Sequence, residues 1–316
     1  MPSPASRHRR FPELSYASPR HPRLKRWFIQ SVEGFSGRDR FADLYDLWRR
    51  EIAPTGDRVF GRMLALVDIT LRISGNWPVL KLPDDPLVIV ANHPFGIGDG
   101  IAVLSLAEAL GRPFRVLIHK DLLKIPEMAP YALPISFEDT KEAMKANMAV
   151  RNEALALLKA GVTIVVFPAG GVATAPSGFG RAEDLPWKVF PARLVQEAKA
   201  SVIPVFFSGQ NGRLFHLVSK PMALAEREGR LARALGRLSL TMRLSLLIRE
   251  FARLSGRTLD VRVGDAIEWC DLAEIRERKA LIGHLNRSVF ELAGAKPKRR
   301  RLPLSGLSRP KHRAPA

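Results

Sequence analysis

Between residues 27 and 76 the apolar positions recur at three- and four-residue steps: Leu44, Leu47 and Trp48, then Phe60, Met63, Leu64, Val67 and Leu71. This spacing predicts helices, divided at the turn-forming Ala53-Pro54-Thr55-Gly56. Residues 77–90 then turn extended. Beyond them, short apolar runs alternate with helical patterns. Strands are predicted at Pro86 to Ala91, Arg115 to Ile118, Val162 to Phe167 and Ser201 to Phe207. Helices are predicted over Gly100 to Leu110, over Lys141 to Ala160 with Gly161 as its stop, and over Pro191 to Lys199. Pro221 to Leu254 reads as one or two helices rich in Leu and Arg. A strand over Thr258 to Val263 and a helix over Leu272 to Leu292 complete the pattern. Such alternation predicts an α/β fold, with a mostly parallel central sheet flanked by helices and an N-terminal helical segment. Pro204, inside its strand, predicts an irregular or edge position.

Charge divides the chain differently. Residues 1–26 hold seven Lys/Arg against Glu13, and residues 296–316 hold eight and no acid, so the ends carry +14 of the net +19. Residues 1–26 therefore read as a basic disordered arm, 27–76 as the helical segment, 77–293 as the main domain and 294–316 as a basic disordered tail. Such tails attract polyanions, whether lipid headgroups or nucleic acid. A nucleic-acid-binding protein working through its tails is the alternative from another class. The tails show no recognised reading motif or aromatic stacking platform, so no specific nucleic acid is expected. Cys270 is the single cysteine; an internal disulfide is excluded, which suits a reducing cytoplasm. The longest apolar runs fall short of 18 residues, so no transmembrane helix is predicted. The basic stretch Met1 to Arg10 lacks the apolar run of a secretory signal.

The chemistry concentrates after the first long apolar run, in Ala91-Asn92-His93-Pro94-Phe95-Gly96-Ile97-Gly98-Asp99-Gly100. In α/β sheets ligands bind at strand ends. An imidazole with a carboxylate nearby is a base with a partner that orients it and stabilises its cation. Other chemistries find less support. His93 and His119 have no Cys or second His at ligand spacing, so no metal is expected. The Gly-rich turns contain no Walker-type lysine. Ser208 precedes Gly209 but lacks the flanking pattern of a nucleophile elbow. No cofactor is implied.

Asn92-His93-Pro94-Phe95-Gly96 with Asp99, followed by Phe167-Pro168-Ala169-Gly170-Gly171, resembles the lysophospholipid acyltransferase superfamily. Within it, the His-Pro-Phe-Gly wording is similar to the bacterial hemolysin-like branch. The resemblance covers about residues 80 to 270. It implies an acyltransferase domain that moves a fatty acyl group from acyl-carrier protein or acyl-CoA to the hydroxyl of a lysolipid, lysophosphatidate or a related lipid. His93 takes the role of general base and Asp99 that of its orienting partner. Oxyanion donors are expected among the backbone N–H groups of Phe95 to Gly100. Asn92, Phe95, Gly96, Phe167, Pro168, Gly170 and Gly171 are the expected substrate-binding residues around the pair. Five residues separate His93 from Asp99 where the superfamily usually has four; Gly96 and Gly98 allow a looped turn that restores the contact. Ala169 stands where the superfamily commonly has Glu.

Ile118 to Pro126 and Val202 to Gly212 resemble two further family blocks. Leu133-Pro134-Ile135-Ser136-Phe137 occupies the place of a segment whose arginine binds acceptor phosphate in many relatives, and it has no arginine. Lys120 and Arg151, the latter with Asn147 one turn before it, are the candidate replacements. The missing arginine keeps acceptors without glycerol phosphate in play, lyso-ornithine lipid among them. The basic amphipathic stretch Arg227 to Arg249, and Trp27 and Phe28 beside Lys25 and Arg26, suit an anionic membrane surface. The expected location is the cytoplasmic face of the bacterial cytoplasmic membrane, held peripherally.

Overall fold

The computed structural model describes residues 38–79, 82–136, 138, 140–176, 178–224 and 246–294. The arm, the tail, Trp27 and Phe28, and most of Arg227 to Arg249 lie outside the described residues. Seven strands form one sheet: β1 (Ile69–Gly75), β2 (Leu87–Ala91), β3 (Phe114–His119), β4 (Ala132–Ile135), β5 (Thr163–Val166), β6 (Ser201–Phe207) and β7 (Arg257–Val263). Their order across the sheet is β1-β7-β6-β2-β5-β3-β4. Every pairing is parallel except β6 with β7, which is antiparallel. The helices are α1 (Arg38–Leu47), α2 (Val59–Leu66), α3 (Ile97–Ala109), α4 (Lys141–Lys159), α5 (Phe190–Ala198), α6 (Arg213–Leu224), α7 (246–254), α8 (Trp269–Leu272) and α9 (Arg278–Glu291).

The central strands β2, β5 and β6 are apolar on successive positions because both faces of the sheet are covered. On one face Leu87, Ile89, Ile203, Val205 and Phe207 pack with Trp48, Phe60, Val103 and Leu106 from the N-terminal helices and α3. On the other, Val88, Val90, Ile164 and Val202 pack with Leu158 of α4, Leu194 of α5 and Leu285 of α9. The N-terminal segment is fixed to the first face by more than apolar contact. Glu108 of α3 accepts the backbone N–H groups of Phe60 and Gly61 at the start of α2, where Arg58 supplies no side-chain cap. The N-terminal N–H groups of a helix need such a partner.

Four expectations change. The helix expected to run through Val67 and Leu71 ends at Leu66, and β1 follows it. Asp68 turns the chain at φ 58, and Ile69, Thr70 and Ile73 bring β-branched side chains suited to a strand. The expected boundary between residues 76 and 77 thus separates β1 from the sheet it completes. Strand β4 was not expected; its four residues are too few to show a period. The C-terminal helix is broken into α8 and α9. Of the two positions expected for Pro204, the irregular one holds: it lies in a central strand, opposite a bulge. Its carbonyl accepts Gly264 N–H at 2.9 Å. Between the pairs Val202–Ile267 and Val205–Val263 the β7 side carries one extra residue. This bulge occupies the place where a proline N–H is missed least.

Candidate active site

The parallel strands β2, β5, β3, β4 and β6 all end at one edge of the sheet, and the motif residues follow from those ends. Asn92 and His93 leave β2. The side-chain amide of Asn92 grips strand β6: Nδ2 donates to the Phe207 carbonyl at 3.0 Å, and Oδ1 accepts the Phe207 N–H at 2.7 Å. Asn92 is thereby a buried tie between two strand ends, with both ends of its amide engaged by backbone. His93 Nδ1 lies 3.2 Å from Asp99 Oδ1. The contact is bent away from the linear alignment of a strong hydrogen bond, and neither atom has another hydrogen-bond partner. Catalytic hydrogen bonds are often long before substrate binds. The Asp99 side chain is fully buried and that of His93 is 17% exposed.

The extra residue between the pair is absorbed before the helix begins. Gly96 adopts φ 88 and ψ −87 as the N-cap of α3, a conformation open mainly to glycine. Asp99 then falls in the first turn, and its Oδ2 accepts the Phe95 N–H at 2.9 Å. One carboxylate therefore ties the turn before α3 to the helix's first turn and faces the imidazole. Gly98 serves packing: a Cβ there would collide with Leu254 Cδ1 of α7. First-turn N–H groups of α3 are without intrahelical partners, which leaves this end of the helix able to receive negative charge.

The second motif closes the other side. The ring of Phe167, just after β5, stacks on His93 with centroids 4.0 Å apart and planes at 28°. Pro168 and Ala169 are buried, so a glutamate at position 169 would have to be buried as well. Gly170 takes φ 68, and a Cβ on Gly171 would meet Leu185 Cδ1 at 3.0 Å. The loop after Gly171 returns to the first motif: Ala173 N–H donates to the His93 carbonyl at 2.8 Å. Asp184, from further along the same loop, accepts the His93 N–H at 3.2 Å through Oδ1 and the Trp187 indole N–H at 3.0 Å through Oδ2. Burial, the largest influence, pushes the Asp184 carboxyl above its ordinary range, against these hydrogen bonds. Asp184 was missed in the sequence because it stands alone, thirteen residues after Gly171, with no motif around it.

The candidate acceptor cations are occupied. Lys120 follows β3 on the same edge but pairs with Glu138 at 2.6 Å. The Arg151 guanidinium lies over the Phe190 ring, 5.0 Å from its centroid. Asn147 bonds both backbone groups of Ser136, at 2.8 and 2.7 Å, and so does not join Arg151. The structure brings His93, Asp99, Phe95, Gly96 and Phe167 together, while Arg151 sits between α4 and α5.

An imidazole–carboxylate pair at the strand ends of a helix-flanked sheet is an arrangement that can do general-base chemistry. The acyltransferase family matches residues 79–287. The chain belongs to that family and is an acyltransferase enzyme. It is similar to a lyso-glycine lipid O-acyltransferase of Bacteroides thetaiotaomicron, 27% identical over 212 residues that cover 65% of this chain and 69% of that one. Among solved structures it resembles the 1-acyl-sn-glycerophosphate acyltransferase PlsC from Thermotoga maritima, with TM-score 0.44 and 19% identity over 92% of this chain and 100% of that one.

Proposed function

We propose that this acyltransferase moves a fatty acyl group from acyl-carrier protein or acyl-CoA to the hydroxyl of a lysolipid, working as a peripheral protein on the cytoplasmic face of the membrane. The observation that carries the reading is the His93–Asp99 pair, 3.2 Å apart, at the strand-end edge of a chain in the acyltransferase family. Nδ1 faces Asp99, so Nε2 is the nitrogen left to take the acceptor proton. As that proton leaves, the hydroxyl oxygen attacks the thioester carbonyl carbon. Asp99 stabilises the imidazolium, and N–H groups at the start of α3 offset charge on the carbonyl oxygen. The tetrahedral intermediate then collapses: the C–S bond breaks, the ester forms, and the imidazolium returns its proton to the leaving thiolate. Stacking on Phe167 holds the ring in place through this exchange.

The acceptor class follows the similar protein, which is named for a lyso-glycine lipid; lysophosphatidate and lyso-ornithine lipid are the other acceptors to be compared. Membrane contact is supported by the exposed apolar side chains of Phe179, Leu185, Leu214 and Leu217, three of them in loops or helix starts after β5 and β6 ends. Among the described residues no helix is long and apolar enough to cross a membrane. The basic ends of the sequence add attraction to anionic lipid.

The test is acyl transfer by purified protein from labelled acyl-carrier protein and acyl-CoA to these lysolipids. Activity with at least one acceptor is expected, with loss of about 10²–10⁴-fold in His93→Ala. Wild-type rates in that variant would refute the mechanism. Co-sedimentation with liposomes should rise with anionic lipid and fall with salt; equal binding to neutral vesicles at high salt would refute the electrostatic attachment.

A further inference from the structure

A cleft of about 510 Å³ opens beside the first motif, and Phe95 is part of its wall. Its other lining comes from three places in the chain. Arg213 begins α6, Arg249 and Arg253 lie one turn apart on α7, and Arg257 begins β7 beyond the end of β6. Four arginines thus line one space. Among the described residues the side chains of Arg213, Arg249 and Arg257 make no hydrogen bond or ion pair, whereas Arg253 lies 3.5 Å from Glu250. Cations gathered this way repel one another unless an anion lies between them, and guanidinium groups match the geometry of phosphate and carboxylate.

Glu250 and Asn211 also belong to the wall of the cleft. Glu250 and Asn211 are each 4% exposed, and Glu250 Oε1 and Asn211 Oδ1 have no hydrogen-bond partner. Their other atoms are engaged: Glu250 Oε2 accepts Gly212 N–H at 2.7 Å, and Asn211 Nδ2 donates to the Phe95 carbonyl at 3.4 Å. Buried acceptors without donors are costly. Both unpaired oxygens are closed off from the cleft itself, so the arginines are the polar groups a ligand there meets.

We propose that Arg213, Arg249, Arg253 and Arg257 form the seat of the acceptor's anionic headgroup, phosphate or carboxylate. The inference rests on the lysolipid reading above. The cleft is joined to the catalytic pair through Phe95, whose side chain lines it and whose N–H is held by Asp99. β6 and β7, which the cleft adjoins, are one and two strands from β2. The exposed Leu214 and Leu217 of α6 border the same side and suit the acceptor's chain.

The test compares wild type, Arg249→Gln/Arg257→Gln and, as a charge-matched control on α9, Lys279→Gln/Arg287→Gln. In steady-state transfer to lysophosphatidate and to lyso-glycine lipid, the double variant should raise acceptor KM about tenfold or more, leaving donor KM within about twofold; the control should change neither. The acceptor with the larger loss identifies the anion. A rise in donor KM alone, or equal effects in the control, overturns the proposal. If the double variant does not fold, Arg213→Gln and Arg253→Gln decide singly, each expected to raise acceptor KM severalfold. Calorimetric titration with sn-glycerol 3-phosphate, N-acetylglycine and adenosine 3′,5′-bisphosphate separates this proposal from the enzymatic one. Wild type without transferase activity refutes the lysolipid reading. The seat itself is supported by saturable binding of either headgroup probe that the double variant loses, and overturned by binding of the nucleotide alone or of none.

Discussion

Oδ1 of Asp184 accepts a hydrogen bond of 3.2 Å from the backbone N–H of His93, ninety-one positions earlier in the chain. The bond reaches the peptide of the base and leaves its imidazole free. Asp184 is thus a positioning residue, fixing where the ring stands without touching the reacting atoms. In Asp184→Ala, kcat should fall about tenfold to a hundredfold, since small misplacement of a catalytic group is enough for that, with acceptor KM nearly constant. Asp184→Asn keeps a side-chain oxygen for the His93 N–H and should recover part of the rate. Equal losses in both variants, or a change confined to KM, would contradict this role.

The same carboxyl makes stability depend on pH. Burial raises its pKa above the ordinary 3.8, the hydrogen bonds from Trp187 and His93 opposing the shift. The folded chain therefore holds this proton more tightly than the unfolded chain. The contribution is fully present below 3.8 and is lost as pH rises through the raised value. Thermal unfolding of wild type and Asp184→Asn across this range should show the variant's Tm gaining on wild type as pH rises. A difference moving in the opposite direction would refute the sign.

Asp99 serves two partners, the Phe95 N–H and the His93 imidazole. Asp99→Asn keeps its one oxygen for the Phe95 N–H and so presents its NH2 to His93. Activity should drop about 10²–10⁴-fold through loss of the imidazole's orientation and charge partner, while far-UV circular dichroism stays that of wild type. A rate within threefold of wild type would remove Asp99 from the mechanism.

Gly98 is fixed by Leu254 of α7, which stands where its Cβ would go. Gly98→Ala should cost about 1 kcal/mol or less, because Leu254 can swing its free end aside and alanine favours the helix. Adding Leu254→Ala should return part of this loss, because the two side chains contend for one space. Chemical denaturation of the three variants measures the coupling; strict additivity would show that the collision is relieved elsewhere.

Asn92 offers a stability test inside the motif itself. Asn92→Ala leaves Phe207 N and O at the end of β6 without their partners. Loss of about 2–4 kcal/mol is expected for two buried groups left unsatisfied, read as a lower midpoint in urea. An unchanged midpoint with lowered activity would instead assign Asn92 to substrate.

The strands were legible where burial on both faces leaves an unbroken apolar run, as in Leu87 to Ala91 and Ser201 to Phe207. They were not legible where the chain is half exposed: Leu71 fits a helical step and a strand equally, and only the turn at Asp68 decides between them. The motif residues stood out because Asn-His-Pro-Phe-Gly is local. Asp184 and the Phe207 backbone were invisible for the opposite reason, since tertiary contact alone brings them to His93 and Asn92. The arginine cleft lay between these cases. Arg249, Arg253 and Arg257 recur every four residues, a signal readable in advance, but Arg213 and Phe95 join them only once β6 and β7 lie side by side.

That adjacency sets an order of events during synthesis. The first strand of the sheet, β1, pairs along its whole length with the last, β7, and β7 alone links it to the remaining five. While the ribosome is still making residues 76–256, β1 waits without a neighbour, its apolar Ile69, Leu71 and Ile73 open to wrong partners. Long-range pairing of this kind is slow and exposed to aggregation. Truncations that end before Arg257 should therefore be handed to chaperones even though the His93–Asp99 edge is already encoded in full.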